Sequence, residues 1–257
     1  MLTGLQSFDQ YYFAVAVVIG TYAAASMLLW LAQRSRYAER IRSFRGIAQN
    51  FLTVINVLFA LNLAFLANDT WVAHDRALNA VYQEAGSLRS ILDVGKELPE
   101  SEREMLSRAV DDYARLTVDE EWPLLARRQS SEKVAVALDH LLSLLADHGI
   151  AFHVTTGVQS VALNLAVQVR NDRDLRLALS RTHVNPLKWL GMAFLGFLTM
   201  VSIAMVHVDQ PRAEIAAVLL FATAAAPTAA IILIHGNPFQ HPMALSAAPI
   251  AALVGTR

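Results

Sequence analysis

Few residues of this 257-residue chain have the types and spacing that catalysis or metal binding requires. The sequence has no G-x-S-x-G, H-E-x-x-H or glycine-rich phosphate loop, and it has no cysteine for thiol chemistry. His148 and His153 flank a glycine turn, which is poor spacing for two ligands of one metal ion. Residues 119–121 are three adjacent carboxylates, but Ca²⁺ takes about six or more oxygens from spaced positions. We therefore predict a solvated helix end there, and no catalytic residue, metal site or cofactor.

The clearest functional potential lies in one apolar stretch that contains amides. Asn56 and Asn62 are costly in lipid, so we expect them at a helix interface or in a water-filled cavity. Phe51, Ile55 and Phe59 recur at i, i+4 and i+8 and form one stripe along a helix. In a ring of identical subunits, such a stripe builds a hydrophobic constriction that gates by dewetting. The alternative is ordinary packing of this face against neighbouring helices.

Four long apolar runs must position these residues. The chain is 55% hydrophobic and only 17% charged, whereas a soluble domain carries about 25% charged residues. The runs are residues 11–32, 51–67, 187–208 and 213–234. A membrane-spanning helix needs about 20 apolar residues, so the second run is marginal and could instead be a buried soluble helix. The pattern favours an all-α membrane protein of four transmembrane helices, and the net charge of −1 gives no reason to expect nucleic acid as a partner.

The orientation follows from the short loop between the first two runs. Residues 34–45 contain five arginines against one glutamate, which is typical of a cytoplasmic loop of an inner-membrane protein. This places residues 74–186 outside the cytoplasm. Basic residues that precede the third run oppose this orientation, but long domains carry little weight in the rule.

Residues 74–186 have the composition of a water-facing domain. They hold 13 of the 21 Lys and Arg and 17 of the 22 Asp and Glu. Apolar residues at helical spacing predict four amphipathic helices near residues 74–96, 101–122, 130–148 and 154–183, which would form a bundle. The first and fourth are expected to continue the second and third spans as long helices. Ser101 and Glu104 predict a capping box, and the alternating charges of residues 170–176 predict an exposed salt-bridged face.

Two further signals lie in residues 187–257, which hold the last two spans and a short tail. Pro227 is expected to kink the fourth span or end it early. Residues 243–254 are apolar but too short to cross a membrane, so this segment would lie in the interface or fold back onto the protein.

Several short motifs, taken in order along nearly the whole chain, resemble the bacterial bestrophin-like family. They are residues 58–65 (LFALNLAF), Trp71, Ala80, Glu84-Ala85, Leu88, Leu98-Pro99, Tyr113, Glu121-Trp122-Pro123 and Asn237-Pro238-Phe239. The resemblance implies kinship to pentameric anion channels with four spans and a helical cytosolic domain, in which the second span lines the pore. The arginine-rich first loop departs from the orientation of those channels, and no counterpart of their calcium clasp is present.

The leading hypothesis is therefore a homo-oligomeric, anion-conducting channel, with the lipid bilayer, further copies of the chain and inorganic ions as its partners. Its pore would be lined by Phe51, Ile55, Asn56, Phe59 and Asn62. The alternative is a non-conducting membrane scaffold or sensor whose helical domain binds a partner or ligand. A membrane enzyme is the weakest hypothesis, because the sequence offers no nucleophile or metal set.

Overall fold

The computed structural model describes residues 9–36, 49–146, 156–181, 186–241 and 243–255. Long α-helices dominate these residues. In chain order they are α1 (Asp9–Arg34), α2 (Gln49–Gly95), α3 (Glu100–Leu116), a π-turn (Thr117–Glu121), α4 (Trp122–Leu125), α5 (Glu132–Ala146), α6 (Thr156–Arg181), α7 (Pro186–Val206), α8 (Pro211–Ile234) and α9 (Ala248–Ala251).

Some features predicted above lie outside the described residues. They are the loop arginines Arg40, Arg42 and Arg45, the histidines His148 and His153, and the side chain of Phe51.

The four predicted membrane spans are confirmed among the described residues. Helices α1, α2, α7 and α8 each contain a stretch long and apolar enough to cross a bilayer. The second run, which was marginal by length, belongs to one helix of 47 residues that continues through Asn68 and Asp69 to Gly95. Polar residues alone do not end a helix, and no glycine or proline interrupts α2 before Gly86.

The chain divides into two compact units. The membrane unit comprises Met1–Trp71 and His183–Gly236, and the inserted unit comprises Val72–Thr182 and Asn237–Arg257. Helix α2 contributes residues to both units.

Small residues let the helices of the membrane unit approach closely. Ala25 of α1, Ala204 of α7 and Ala222 of α8 are buried in one apolar cluster, as expected where van der Waals packing drives association in lipid. The Tyr22 hydroxyl lies 3.0 Å from the Thr223 hydroxyl and links α1 to α8. Helix α8 runs through Pro227 to Ile234, so the expectation that this proline ends the helix early is wrong.

The inserted unit has a larger apolar core, formed by α3 to α6, the part of α2 that follows Trp71, and the C-terminal segment. Leu88 and Ile91 of α2 and Leu138 and Leu141 of α5 are fully or almost fully buried in it. The amphipathic spacing of these residues explains why each helix turns one face inward.

Two predictions about the inserted unit need correction or resolution. Helix α3 begins at Glu100 with Pro99 as its N-cap residue and no side-chain cap. The predicted capping box of Ser101 and Glu104 is therefore wrong, since Pro99 already ends the preceding turn. The apolar segment near the C-terminus folds back onto the protein, and its residues Leu245, Ile250 and Leu253 are buried in this core.

Candidate functional site in the second membrane helix and a buried charge cluster

The five predicted pore residues do not share one environment on α2. Phe59 is only 9% exposed and packs in an apolar cluster with Met192 of α7 and Ile232 of α8. Ile55, Asn56 and Asn62 are each partly exposed, and the side chain of Phe51 is not described. Phe59, the aromatic member of the predicted stripe whose side chain is described, thus lies inside the protomer.

Contacts with two helices hold Phe59 in place. Its ring centroid lies 5.4 Å from that of Phe221, with a tilt of 57° between the rings. A Cβ atom added to Gly196 would lie 3.1 Å from Cε2 of Phe59, so the glycine leaves room for the aromatic ring. Both contacts occur within one copy of the chain, which makes Phe59 a packing residue of the membrane unit.

The opposite side of α2 is open. Val57 and Leu61 are 56% and 52% exposed, and Phe65 and Asn68 are exposed as well. Spacings of three and four residues align Val57, Leu61, Ala64 and Asn68 on one face of the helix. This open face requires lipid, water or another copy of the chain as its neighbour.

Asn56 adds a polar group to this helix. Its Oδ1 atom is buried and has no hydrogen-bond partner among the described residues. Asn62 lies beside α7, since a Cβ atom added to Gly191 would be 3.9 Å from its Nδ2 atom. An amide oxygen without a partner at this depth is unfavourable in an isolated copy.

A second constellation, which the sequence patterns did not reveal, lies in the inserted unit. Glu84 of α2 and Glu121 of the π-turn are fully buried, and each receives hydrogen bonds from the buried Arg176 of α6. The Tyr113 hydroxyl donates to Glu84 at 2.7 Å. Arg173 donates to both oxygens of Glu121, at 3.1 and 2.6 Å. Buried charges of this kind are tolerated only when paired and hydrogen-bonded.

The π-turn places Glu121 in this charge cluster. The Trp122 N–H bonds to the Thr117 carbonyl, five residues earlier, and Pro123 has no N–H with which to continue the α-helical ladder. Two predictions are therefore wrong. Glu121 is not part of a solvated helix end, and Arg173 and Arg176 are not on an exposed face. Helical periodicity does not distinguish a polar side chain that points inward to a partner from one that points to water.

Electrostatic surroundings shift the pKa values of this cluster in different directions. Burial and the Glu84 carboxylate raise the pKa of Tyr113 well above its usual value. Burial opposes the charge of Arg176, but Glu84, Tyr113 and Glu121 together raise its pKa above the ordinary value. Burial, with a smaller effect of Glu84, raises the pKa of Asp172 to about 6. Its Oδ2 atom is buried without a hydrogen-bond partner among the described residues, so the ionised form of Asp172 is disfavoured.

Motifs that are far apart in sequence meet around Trp122. The guanidinium carbon of Arg176 lies 5.3 Å from the centroid of the Trp122 ring, and the Phe239 ring packs edge-on against it at 5.5 Å. Trp122 Nε1 donates to the Leu245 carbonyl at 3.1 Å, and Asn237 Nδ2 donates to the Leu125 carbonyl at 3.3 Å. Trp122 thus contacts both the charge cluster and the C-terminal segment. No group of metal-binding side chains occurs within the described ranges.

Together, the four membrane helices and the helical inserted unit define a multi-pass, all-α membrane protein. The Bestrophin-like domain model matches residues 19–250. The chain therefore belongs to the Bestrophin-like family, which is a family of membrane channels.

Solved structures show the same fold. A bacterial bestrophin homologue from Klebsiella pneumoniae, solved by Zn-SAD phasing, has a TM-score of 0.69 at 12% identity, with 93% of this chain and 95% of that chain covered. A point mutant of the Klebsiella pneumoniae homologue gives 0.68 at 11% identity over 94% and 99% of the two chains. A third structure, described as a point mutant of a membrane protein, also gives 0.68 at 11% identity, over 94% and 96%. No curated protein matches the sequence significantly.

Proposed function

We propose that the protein is a homo-oligomeric channel that conducts anions across the inner membrane, with α2 lining the ion pathway. The observation that carries this proposal is the open face of α2 in a member of a channel family. In the most apolar part of α2, only 6% of the residues are buried within one copy. A ring of copies, such as a pentamer, would supply the missing neighbours and leave one face to the pore.

The contacts of α2 refine which side chains would meet ions. The open face, with Val57, Leu61 and Asn68, would form the main lining of the pathway. Ile55, Asn56 and Asn62 are partly exposed but lie towards the side of Phe59, so they would contribute at the margin of the pathway, as would Phe51. Phe59 would not line the pore, since its ring packs against Phe221 of α8. Residues 53–68 contain no carboxylate that would repel an anion or hold a cation, which supports an anion pathway.

Flux from liposomes that contain the purified full-length protein tests the proposal. We expect chloride efflux along a chloride gradient, and little potassium efflux in the matched experiment. Replacing the exposed Leu61 with serine should raise the flux because it makes the open face more polar. Phe59→Ala is the matched control within the same helix, and it should reduce stability without raising flux.

The outcomes separate the hypotheses. If the wild-type protein carries no flux under any ion gradient, the channel proposal fails. If flux is present but Leu61→Ser leaves it unchanged while Phe59→Ala increases it, the pathway follows the inward stripe instead.

We further propose that residues 34–45 are cytoplasmic and that the helical domain of residues 74–186 is extracytoplasmic. The five-arginine loop supports this orientation. A single cysteine at the position of Glu102, in a chain without other cysteines, should react with an impermeant thiol reagent on intact cells. Labelling only after lysis would reverse the orientation.

A non-conducting scaffold or sensor is the second candidate function. A surface groove of about 580 Å³ between α3 and α5 favours it, because this volume suits a small ligand. The lining combines apolar side chains, among them Leu116 and Val136, with charged or titratable ones, among them Asp112, Lys133 and His140. Two results together would support this function: the wild-type protein carries no ion flux, and the Val136→Glu variant loses a cellular partner that the wild type binds.

A further inference from the structure

One end of the membrane unit carries three exposed arginines. Arg34 and Arg36 lie at and just beyond the end of α1, and Arg212 lies in the first turn of α8. Among the residues that the structure describes, no carboxylate forms an ion pair with any of the three. They therefore present positive charge to the surroundings.

Hydrogen bonds of Gln33 show that these arginines lie at the same end of the helix bundle. Its Nε2 atom donates to the Pro211 carbonyl at 3.3 Å and to Glu214 Oε2 at 3.2 Å. Gln33 precedes Arg34, and Pro211 precedes Arg212, so the end of α1 lies beside the start of α8. We call Arg34, Arg36 and Arg212 the arginine end.

Nearby acidic residues only partly offset this charge. Glu214 is 1% exposed and accepts its hydrogen bond from Gln33 inside the bundle. Asp209 is exposed and is engaged in an interaction of its own. Among the residues described at this end, three exposed guanidinium groups thus stand against one exposed carboxylate, which is an excess of positive charge.

Apolar side chains continue from the arginine end along α1. Met27, Trp30 and Arg34 lie at i, i+3 and i+7, which places them on one face of the helix. Met27 and Trp30 are 64% and 58% exposed. A tryptophan at the end of a span sits at the level of lipid headgroups. The same face thus offers apolar contacts for an acyl chain, and a cation lies one turn beyond the indole ring.

We propose that the arginine end binds anionic phospholipid, with the phosphate on Arg34 and Arg212 and the acyl chains against Met27 and Trp30. Guanidinium groups bind phosphate oxygens through paired hydrogen bonds. A net negative headgroup such as phosphatidylglycerol is favoured over zwitterionic phosphatidylcholine, because the positive charge of the latter is repelled. The apolar stripe distinguishes a lipid from free phosphate, which has no chains to contact it.

Native mass spectrometry of the full-length protein in mild detergent tests this proposal. Phosphatidylglycerol and phosphatidylcholine with identical chains are added in equal amounts, and the bound fraction of each is measured. We expect the wild type to retain phosphatidylglycerol preferentially. Each arginine near a membrane surface contributes about fivefold, so Arg34→Gln with Arg212→Gln should weaken this preference roughly thirtyfold. The control is Arg89→Gln with Arg127→Gln, which removes two exposed arginines from the inserted unit.

The results that would overturn the proposal are distinct from those that would overturn the channel. Equal retention of the two lipids by the wild type contradicts it, as does an equal loss of preference in the two double variants. Competition by millimolar inorganic phosphate that is as effective as added phosphatidylglycerol would identify a phosphate site rather than a lipid site. None of these measurements depends on ion flux.

Discussion

The two units of this molecule differ in which side chains they bury and which they leave exposed. The membrane unit leaves large apolar side chains such as Phe13, Val57 and Leu220 exposed, and alanines are frequent among its buried residues. The inserted unit buries its large apolar side chains and also encloses complete ion pairs, with Glu121 and Arg176 both 0% exposed.

The difference follows from the solvent around each unit. Lipid tails are as apolar as leucine, so apolar burial contributes little to packing between membrane helices and close van der Waals contact is decisive. In water, apolar burial is the dominant favourable contribution to folding. The large core of the inserted unit can therefore offset the desolvation of a few paired charges.

The largest expected effect is the loss of a buried ion-pair partner in the inserted unit. Glu121→Ala leaves Arg173 and Arg176 without a shared carboxylate, so we expect a loss of about 3–5 kcal/mol in unfolding free energy. Thermal unfolding followed by circular dichroism measures it. Glu104→Ala is the control, since its pair with Arg108 is on the surface and should contribute under about 1 kcal/mol. Equal effects would contradict the difference between buried and surface pairs.

A pair of cavity-forming substitutions compares the interiors of the two units. Leu88→Ala in the inserted unit should reduce the unfolding free energy by about 2–5 kcal/mol. Phe59→Ala in the membrane unit removes more atoms but should have the smaller effect, because van der Waals contacts are lost there without an added loss of apolar burial from water. Chemical denaturation of both variants in the same detergent gives the comparison. A larger loss of unfolding free energy for Phe59→Ala would show that apolar burial stabilises the membrane unit as strongly as it stabilises a water-soluble core.

Asp172 should make the stability of the inserted unit depend on pH. The pKa of Asp172 is raised to about 6 from 3.8, so folding favours its protonated form. This stabilisation is complete below about pH 4 and is lost as the pH rises through about 6. Asp172→Asn should raise the melting temperature at about pH 7.5 by a few degrees and flatten the pH profile between about 4 and 7. Asp174→Asn, an exposed neighbour, should change neither.

The smallest expected effect concerns an ion pair at the edge of the membrane unit. Lys188 Nζ lies 2.6 Å from Asp69 Oδ2, and both side chains are more than half exposed. Lys188→Gln should therefore lower the unfolding free energy by less than about 1 kcal/mol. A loss as large as that of Glu121→Ala would indicate that lipid excludes water from this pair.

The sequence predicted the membrane spans well because hydrocarbon thickness fixes their length. The run at residues 187–208 corresponds to α7 (Pro186–Val206), and the run at 213–234 corresponds to α8 (Pro211–Ile234). The continuation of the second span into the inserted domain was expected, and α2 (Gln49–Gly95) confirms it although the composition changes at Asn68. Pro227 does not end α8 early, because a proline within a membrane helix is tolerated when neighbouring groups satisfy the freed carbonyl.

The candidate sites were harder to predict. Helical spacing correctly aligned Ile55 with Phe59 but did not show which face of α2 turns towards α7 and α8. The charge cluster was missed because Glu121 and Arg176 are 55 residues apart, and their pairing depends on a π-turn that no pattern signals. Glu84, Tyr113 and Trp122 did stand out as motif residues of the family resemblance, and all three meet in that cluster.

The burial of Leu245, Ile250 and Leu253 in the inserted unit has a consequence for biosynthesis. Translation reaches Thr182 long before Leu253, at about 5–20 residues per second. For several seconds the Trp122 indole N–H and the Leu125 carbonyl lack their C-terminal partners, while α7 and α8 are synthesised. Residues made after both of these membrane helices complete the core of a unit whose other parts precede them in the chain. Synthesis of α7 and α8 therefore comes before completion of the inserted unit.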